Sequence, residues 1–181
     1  MLVIFEGVDG SGKTTVIKKL KERFGWEEIE WPGKQKDHKA FVEMVKDFTT
    51  NHWEEIHNTK VYLMDRGGVG EILYGTLENR FDKFCLPESF SALMDLWKYC
   101  VFVHCSNKNA HKNAITRGED GIAKNADIHK ILSYSYKEIA YVITNKADIF
   151  YDYTEQDAFE KLASDIVIAN FNKITANMEA E

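Results

Sequence analysis

The stretch GVDGSGKTT at positions 7–15 sets three glycines, one lysine and two threonines directly behind the apolar run LVIF. Gly7 and then Gly12-Lys13-Thr14 satisfy the spacing G-x-x-x-x-G-K-[ST], in which a glycine-rich backbone turns its N–H groups inward around phosphate oxygens. Each residue type has a chemical reason. Gly7, Gly10 and Gly12 let the chain bend, and Lys13 neutralises the β- and γ-phosphates. The Thr14 hydroxyl is placed to ligate Mg²⁺, and a helix opening near Lys13 adds its positive end. The nucleotide-binding set is therefore Gly7, Gly10, Ser11, Gly12, Lys13, Thr14 and Thr15, with ATP and Mg²⁺ as the expected cofactors. A glycine-rich turn with no ligand is the plain alternative. The apolar run before the loop and the helical spacing after it argue against that alternative.

Other residues have to meet the same phosphates. Asp65-Arg66 closes the apolar segment VYLM, so both belong at the carboxyl edge of a sheet, where ligands bind. Asp65 suits the metal shell or the proton of an attacking hydroxyl, and Arg66 suits a bidentate grip on a second phosphate. The segment TRGEDGIAK at 116–124 has glycine hinges and charges, as expected of a flap that closes over phosphates near 116–126. Within it, Arg117 is the candidate for stabilising charge on the phosphoryl group in transfer. The alternative is a solvated loop between helices. Asp9 lies inside the phosphate loop but should face away from the triphosphate. It suits either a sugar hydroxyl on a second substrate or a local turn.

The elements that position these groups alternate along the chain. Apolar runs at 2–5, 61–64, 101–103 and 149–153, with a weaker one at 26–31, read as strands. Helical spacing predicts helices over 14–24, 41–56, 88–97, 110–117, 128–143 and 158–171. This alternation implies an α/β fold of three layers, a mostly parallel sheet with helices on both faces. The length of 181 residues fits one domain spanning 1–181. At 44% hydrophobic residues the composition is that of a globular protein, and no run approaches the ~18 apolar residues of a membrane helix. MLVIF lacks the features of an export signal, so a cytoplasmic location is expected. A net charge of −6 argues against nonspecific nucleic-acid coating. Cys85, Cys100 and Cys105 form no C-x-x-C pair and read as reduced thiols.

FEGVDGSGKTT at 5–15 resembles the opening of thymidylate kinases. DRGGVGEILYG at 65–75 is similar to that family's segment after Asp-Arg, though looser, and 117–124 looks like its lid. The resemblance implies that Asp9 binds the acceptor's 3′-hydroxyl and that Lys13 and Thr14 serve ATP and Mg²⁺. It also implies that Asp65 handles metal or proton and that Arg66 binds the acceptor phosphate. Some members carry a catalytic arginine within the loop. That place is Gly10 here, which passes the duty to Arg117 and Lys124. The family's tyrosine after Asp-Arg is Gly67, an exchange expected to open room at the acceptor's sugar end. Glu71 and Tyr74 are further candidates for the acceptor pocket; Phe41, Phe48 and Trp53 are candidates for stacking on a base, though their helical spacing favours core packing for most of them. A homodimer is also implied.

The leading expectation is a kinase that transfers the γ-phosphoryl group of ATP to a deoxynucleoside monophosphate, dTMP or a base-modified analogue. A second acceptor class is a hydroxyl of a deoxynucleoside, or of a hydroxymethylated pyrimidine in DNA, with Asp65 as general base. In that case Lys34, Lys36, His38 and Lys39 would contact the DNA backbone, although a solvated charge run is the default reading of that stretch. The third reading is a nucleotide-dependent switch protein.

Overall fold

A computed structural model describes residues 1–82, 84, 86–118, 125–143 and 149–179. Its centre is β1 (Leu2–Glu6), in which every residue is buried, as a strand covered on both faces requires. β1 lies between β3 (Tyr62–Asp65) and β4 (Val101–Cys105), and β2 (Glu27–Glu28) and β5 (Ile149–Tyr151) form the edges. All four pairings are parallel. The register sets Phe5 beside Asp65 and Glu6 beside His104, so the carboxyl ends of the three central strands converge at one edge.

Alternating side chains divide the core between the two faces of the sheet. Leu2, Ile4, Met64 and Phe102 pack on one face. They meet α2 (His38–Asn51), α4 (Val69–Leu77), α5 (Leu86–Trp97) and α7 (Ala126–Ile143). Val3, Phe5, Leu63, Val101 and Val103 pack on the other face, against α1 (Lys13–Phe24) and α8 (Ala158–Glu179). The expected three-layer α/β architecture is therefore the one observed.

The element bounds differ from the expectation in three places. The predicted strand over 26–31 pairs only at Glu27–Glu28, and beyond Ile29 the chain turns so that the Trp31 ring packs 5.3 Å from Phe48. The helix expected over 41–56 starts earlier, because the Asp37 side chain accepts the Ala40 N–H at 2.9 Å as an N-cap. It also breaks at His52, where α3 (Trp53–His57) begins. The last helix continues past 171 to Glu179. α6 (Ala110–Thr116) ends at Arg117, as its spacing predicts. The centre of the expected lid, 119–124 with Lys124, lies outside the described residues, as does Cys85. Cys100 and Cys105 are buried thiols, and burial pushes Cys105 up to about 12.

Candidate active site

β1 ends at Glu6, and the chain turns through the phosphate loop into α1, whose N-cap Gly12 has φ 97°. Gly10 shows why this loop carries no side chain at its midpoint. It has φ 78°, and a Cβ there would lie 2.1 Å from the Ala110 carbonyl oxygen and 2.8 Å from the Ala114 nitrogen. The loop is thus pressed backbone to backbone against α6, and a residue at position 10 has no space for an arginine. Asn107 and Asn113 each donate to the Gly10 carbonyl at 3.2 Å, which fixes that contact. Lys13 is buried and donates to the Gly7 and Val8 carbonyls at 2.8 and 3.0 Å. Burial and the nearby Arg66 hold its ammonium below the ordinary lysine value. Ser11 is fully buried within the turn, and its N–H bonds to the Val8 carbonyl at 3.2 Å.

Thr14 and Asp65 meet where the sequence places them. The Thr14 hydroxyl donates to Asp65 Oδ2 at 2.7 Å, joining the first turn of α1 to the end of β3. Asp65 Oδ1 is buried without a protein partner. A hydroxyl and a carboxylate with one unused oxygen are hard donors of the kind Mg²⁺ takes alongside substrate phosphates, so these residues fit that ion. Among the described residues no group of three His, Cys, Asp or Glu side chains forms a metal cluster.

Arg66 follows in the left-handed region at φ 78°, a conformation that costs about 1–2 kcal/mol for a residue with a side chain. Its N–H donates to the Phe5 carbonyl at 2.9 Å. Its side chain reaches Asp9 Oδ1 at 2.7 Å, and the Tyr74 hydroxyl donates to Asp9 Oδ2 at 3.0 Å. Burial opposes the Asp9 charge, but Arg66 and Tyr74 overcome it and hold the carboxyl below its ordinary value. Three sequence candidates from three segments are therefore one hydrogen-bonded group.

Two cavities open on the phosphate loop. One, of about 340 Å³, is lined by Asp9, Trp31, Lys34, Arg66, Tyr74 and Arg80, among others. The other, of about 330 Å³, is lined by Gly12, Thr15, Asn113, Arg117, Tyr153 and Phe159, among others. The Tyr153 ring rests on Gly12, 2.8 Å from where a Cβ would stand, and Asn113 donates to the Tyr153 hydroxyl at 2.6 Å. Arg117 thus flanks the phosphate loop from the α6 side.

Several acceptor-side expectations are redrawn by the geometry. A Cβ at Gly67 would lie 2.4 Å from Ile4 Cγ2, so the missing tyrosine frees no acceptor space. That position points into the core. Glu71 lines the 340 Å³ cavity, but its Oε1 accepts the Gln35 N–H at 2.7 Å and Arg80 Nη1 at 2.5 Å. Arg80 Nη1 also donates to the Gln35 carbonyl. Together they stitch the 31–35 segment to α4. Phe41 and Phe48 are core residues, and Trp53 stacks on His57 at 3.7 Å. The aromatic rings that line the 340 Å³ cavity are Tyr74 and Trp31, the latter with its Nε1 buried and unpartnered. Helical periodicity singles out the phenylalanines, whereas Trp31 stands at the end of the weak apolar run at 26–31 with nothing local to mark it for a ligand. Lys34 pairs with Glu78 at 2.7 Å.

Two contributors carried no sequence signal. Glu6 is fully buried and its Oε1 accepts the N–H groups of Gly67 at 2.7 Å and Val69 at 3.0 Å. Burial raises its carboxyl above the ordinary value. His129 of α7 donates from Nε2 to the Asp9 carbonyl at 3.0 Å, tying α7 to the phosphate loop. A lone glutamate in LVIFE reads as the polar end of a strand, and a histidine on a helix as surface.

No family model and no curated protein matches this chain. Solved structures do. Deoxyadenosine kinase from M. mycoides with bound dATP is similar at TM-score 0.58 and 15% identity, over 92% of this chain and 98% of that one. The Bacillus subtilis YorR protein, in complex with phosphorylated GDP, gives TM-score 0.56 and 17% identity over 93% and 95%. Shikimate kinase from Acinetobacter baumannii in complex with shikimate gives 0.53 and 13% over 94% and 93%. The fold is that of the P-loop kinases. Identities this low speak to architecture. Among the described residues no helix is long and apolar enough to cross a membrane.

Proposed function

We propose that this chain acts as a single-domain phosphotransferase. It moves the γ-phosphoryl group of ATP to a deoxynucleoside monophosphate, dTMP or a base-modified analogue. The observation that carries the reading is the Thr14–Asp65 hydrogen bond beside the Arg66–Asp9 pair. It sets donor-phosphate groups and acceptor-binding groups on adjoining sides of one loop. Lys13, released from the Gly7 and Val8 carbonyls, neutralises the β- and γ-phosphates, and the Gly7–Thr15 backbone cradles them. Thr14 and Asp65 would hold Mg²⁺, which supplies charge neutralisation on the transferring group when bound. Arg66 grips the acceptor phosphate, with Asp9 and Tyr74 at its sugar end and Glu71 bracing the cavity wall. Arg117 is assigned to the transferring phosphoryl group.

In the transfer, an acceptor oxygen forms a bond to the γ-phosphorus. The bond from that phosphorus to the β,γ-bridging oxygen breaks, and its electron pair leaves with ADP. A monophosphate oxygen attacks as an anion and needs no base. The buried, unpartnered Oδ1 of Asp65 favours a second acceptor class as well. It can take the proton of a nucleoside hydroxyl, or of a hydroxymethylated base in DNA.

A screen with γ-labelled ATP and Mg²⁺ tests this directly. Its acceptors are deoxynucleoside monophosphates, free deoxynucleosides and short DNAs with and without hydroxymethylated pyrimidine. Label in dTDP or a close analogue supports the leading acceptor. Label only in nucleosides or DNA moves the assignment to the second class, and label in none of them rejects the phosphotransferase.

A further inference from the structure

The Asp9 pair engages one terminal nitrogen of Arg66, Nη2, at 2.7 Å. The other, Nη1, points to a different place. A Cβ built on Gly70 would have three polar tips around it: the Tyr136 hydroxyl at 2.6 Å, Arg66 Nη1 at 3.3 Å and Glu6 Oε2 at 3.8 Å. These come from α7, the β3–α4 turn and β1, elements far apart in the chain. Gly70 leaves the space in which they converge.

Two of the three tips are orphans. The Tyr136 hydroxyl and Glu6 Oε2 are buried and have no protein hydrogen-bond partner. Both residues are fully buried, at 0% exposure. One orphan is a donor and the other an acceptor, and a guanidinium N–H stands beside them. A phenol has one proton to give and lone pairs to receive, so it can accept from the guanidinium and donate to the carboxylate at once. Leaving both groups unpaired in a dry site is unfavourable, and a side-chain rotation that brings them together relieves it. Burial drives the Tyr136 pKa well above its ordinary value, so the hydroxyl keeps the proton it has to give.

We propose that Glu6 and Tyr136 are positioning residues for Arg66, joined in a relay in which Arg66 Nη1 donates to the Tyr136 oxygen and the Tyr136 hydroxyl donates to Glu6 Oε2. The relay rests on Arg66 being an acceptor-binding residue, as in the function proposed above. Glu6 acts at two levels. Its Oε1 fixes the N–H groups of Gly67 and Val69, which flank the left-handed Arg66 turn, and its Oε2 anchors the guanidinium through Tyr136. Arg66 is then gripped at both ends of its fork, by Asp9 on the loop and by Tyr136 on the helix that follows the 119–124 segment. The relay links α7 to the acceptor grip without Tyr136 touching the acceptor.

Tyr136→Phe and Glu6→Gln, singly and together, test the relay. Tyr136→Phe keeps the ring and removes only the hydroxyl, so the protein stays folded, with a melting temperature a few degrees lower because Glu6 Oε2 loses its donor. Its kcat/KM for the acceptor falls about tenfold, with KM for ATP unchanged, because Lys13 and Thr14 are untouched. The double variant is no worse than the more damaged single one, as expected of groups acting as a unit. Unchanged acceptor kinetics in Tyr136→Phe, losses that multiply in the double variant, or an equal rise in KM for ATP overturns the relay. A second readout needs no turnover. The Arg66 guanidinium, assigned by its absence in Arg66→Lys, gives separate Nη resonances in wild type because rotation about its Cζ–Nε bond is slow. In Tyr136→Phe the Asp9 pair still holds Nη2, so the two resonances exchange faster without collapsing. Exchange no faster than in wild type overturns the relay. If the wild-type enzyme transfers phosphate to no acceptor, the proposed function fails and the resonances alone decide the relay.

Discussion

Replacing Gly10 by alanine tests how tightly the phosphate loop is locked to α6. The backbone there has φ 78°, which costs about 1–2 kcal/mol for any residue with a Cβ. The added methyl would stand 2.1 Å from the Ala110 carbonyl oxygen, a contact with backbone that no side-chain rotation relieves. Overpacking of that kind costs about 1–3 kcal/mol once neighbours have shifted. The total is about 2–5 kcal/mol, or a fall in melting temperature of about 5–15 °C for a chain of this size. Gly25→Ala is the control. Its φ is 67° and nothing lies within 4 Å of the new methyl, so only the backbone contribution applies, about 3–6 °C. Thermal melts of both variants, with KM for ATP, make the comparison. Gly10→Ala should also raise KM for ATP about tenfold or more, because loop and helix must part. A melting temperature no lower than that of Gly25→Ala would refute the locking.

Lys13→Met keeps volume and apolar stem, so the protein should stay folded while transfer is lost. Wild-type turnover in that variant would sink the phosphate-loop assignment. Gly67→Tyr should destabilise the fold through Ile4 and leave acceptor affinity no better. Improved dTMP binding would mean the tyrosine does reach the pocket. Arg117→Ala should lower kcat more than it raises KM for ATP, and an unchanged kcat removes Arg117 from the mechanism. Stability should fall between pH 6.5 and about 4, because burial, reinforced by Lys137 and Lys13, lowers the His104 pKa to about 4. In that window the unfolded chain binds a proton that the folded one refuses, a difference on the order of 3 kcal/mol. Denaturant midpoints of wild type and His104→Gln at pH 7 and 5 measure it. An equal drop in both clears His104.

The phosphate loop could be recognised from sequence because its chemistry is local. Gly12, Lys13 and Thr14 are consecutive, and a backbone cradle needs no distant partner. The strands at 2–5 and 61–64 were equally clear, since burial on both faces demands unbroken apolar runs. The cavity proposed for the acceptor is lined by Asp9, Trp31, Arg66, Tyr74 and Arg80, which follow three different strands and meet only through the fold. Glu6 was hidden for the same reason, its partners being the N–H groups of Gly67 and Val69 across the sheet edge. The reading of Gly67 went wrong because a residue name says nothing of which way its Cβ points, and here it points at Ile4. The break at His52 is a matter of capping bonds to Phe48 and Thr50, which hydrophobic spacing does not register.

The central claim is acceptor-dependent phosphoryl transfer through the phosphate loop. Release of ADP from ATP and Mg²⁺, measured with and without the best acceptor for wild type and Lys13→Met, tests it most directly. If the phosphate loop carries the transfer, release depends on the acceptor, matches phosphorylated product one for one, and vanishes in Lys13→Met. Release that ignores the acceptor, or that persists in Lys13→Met, would contradict it.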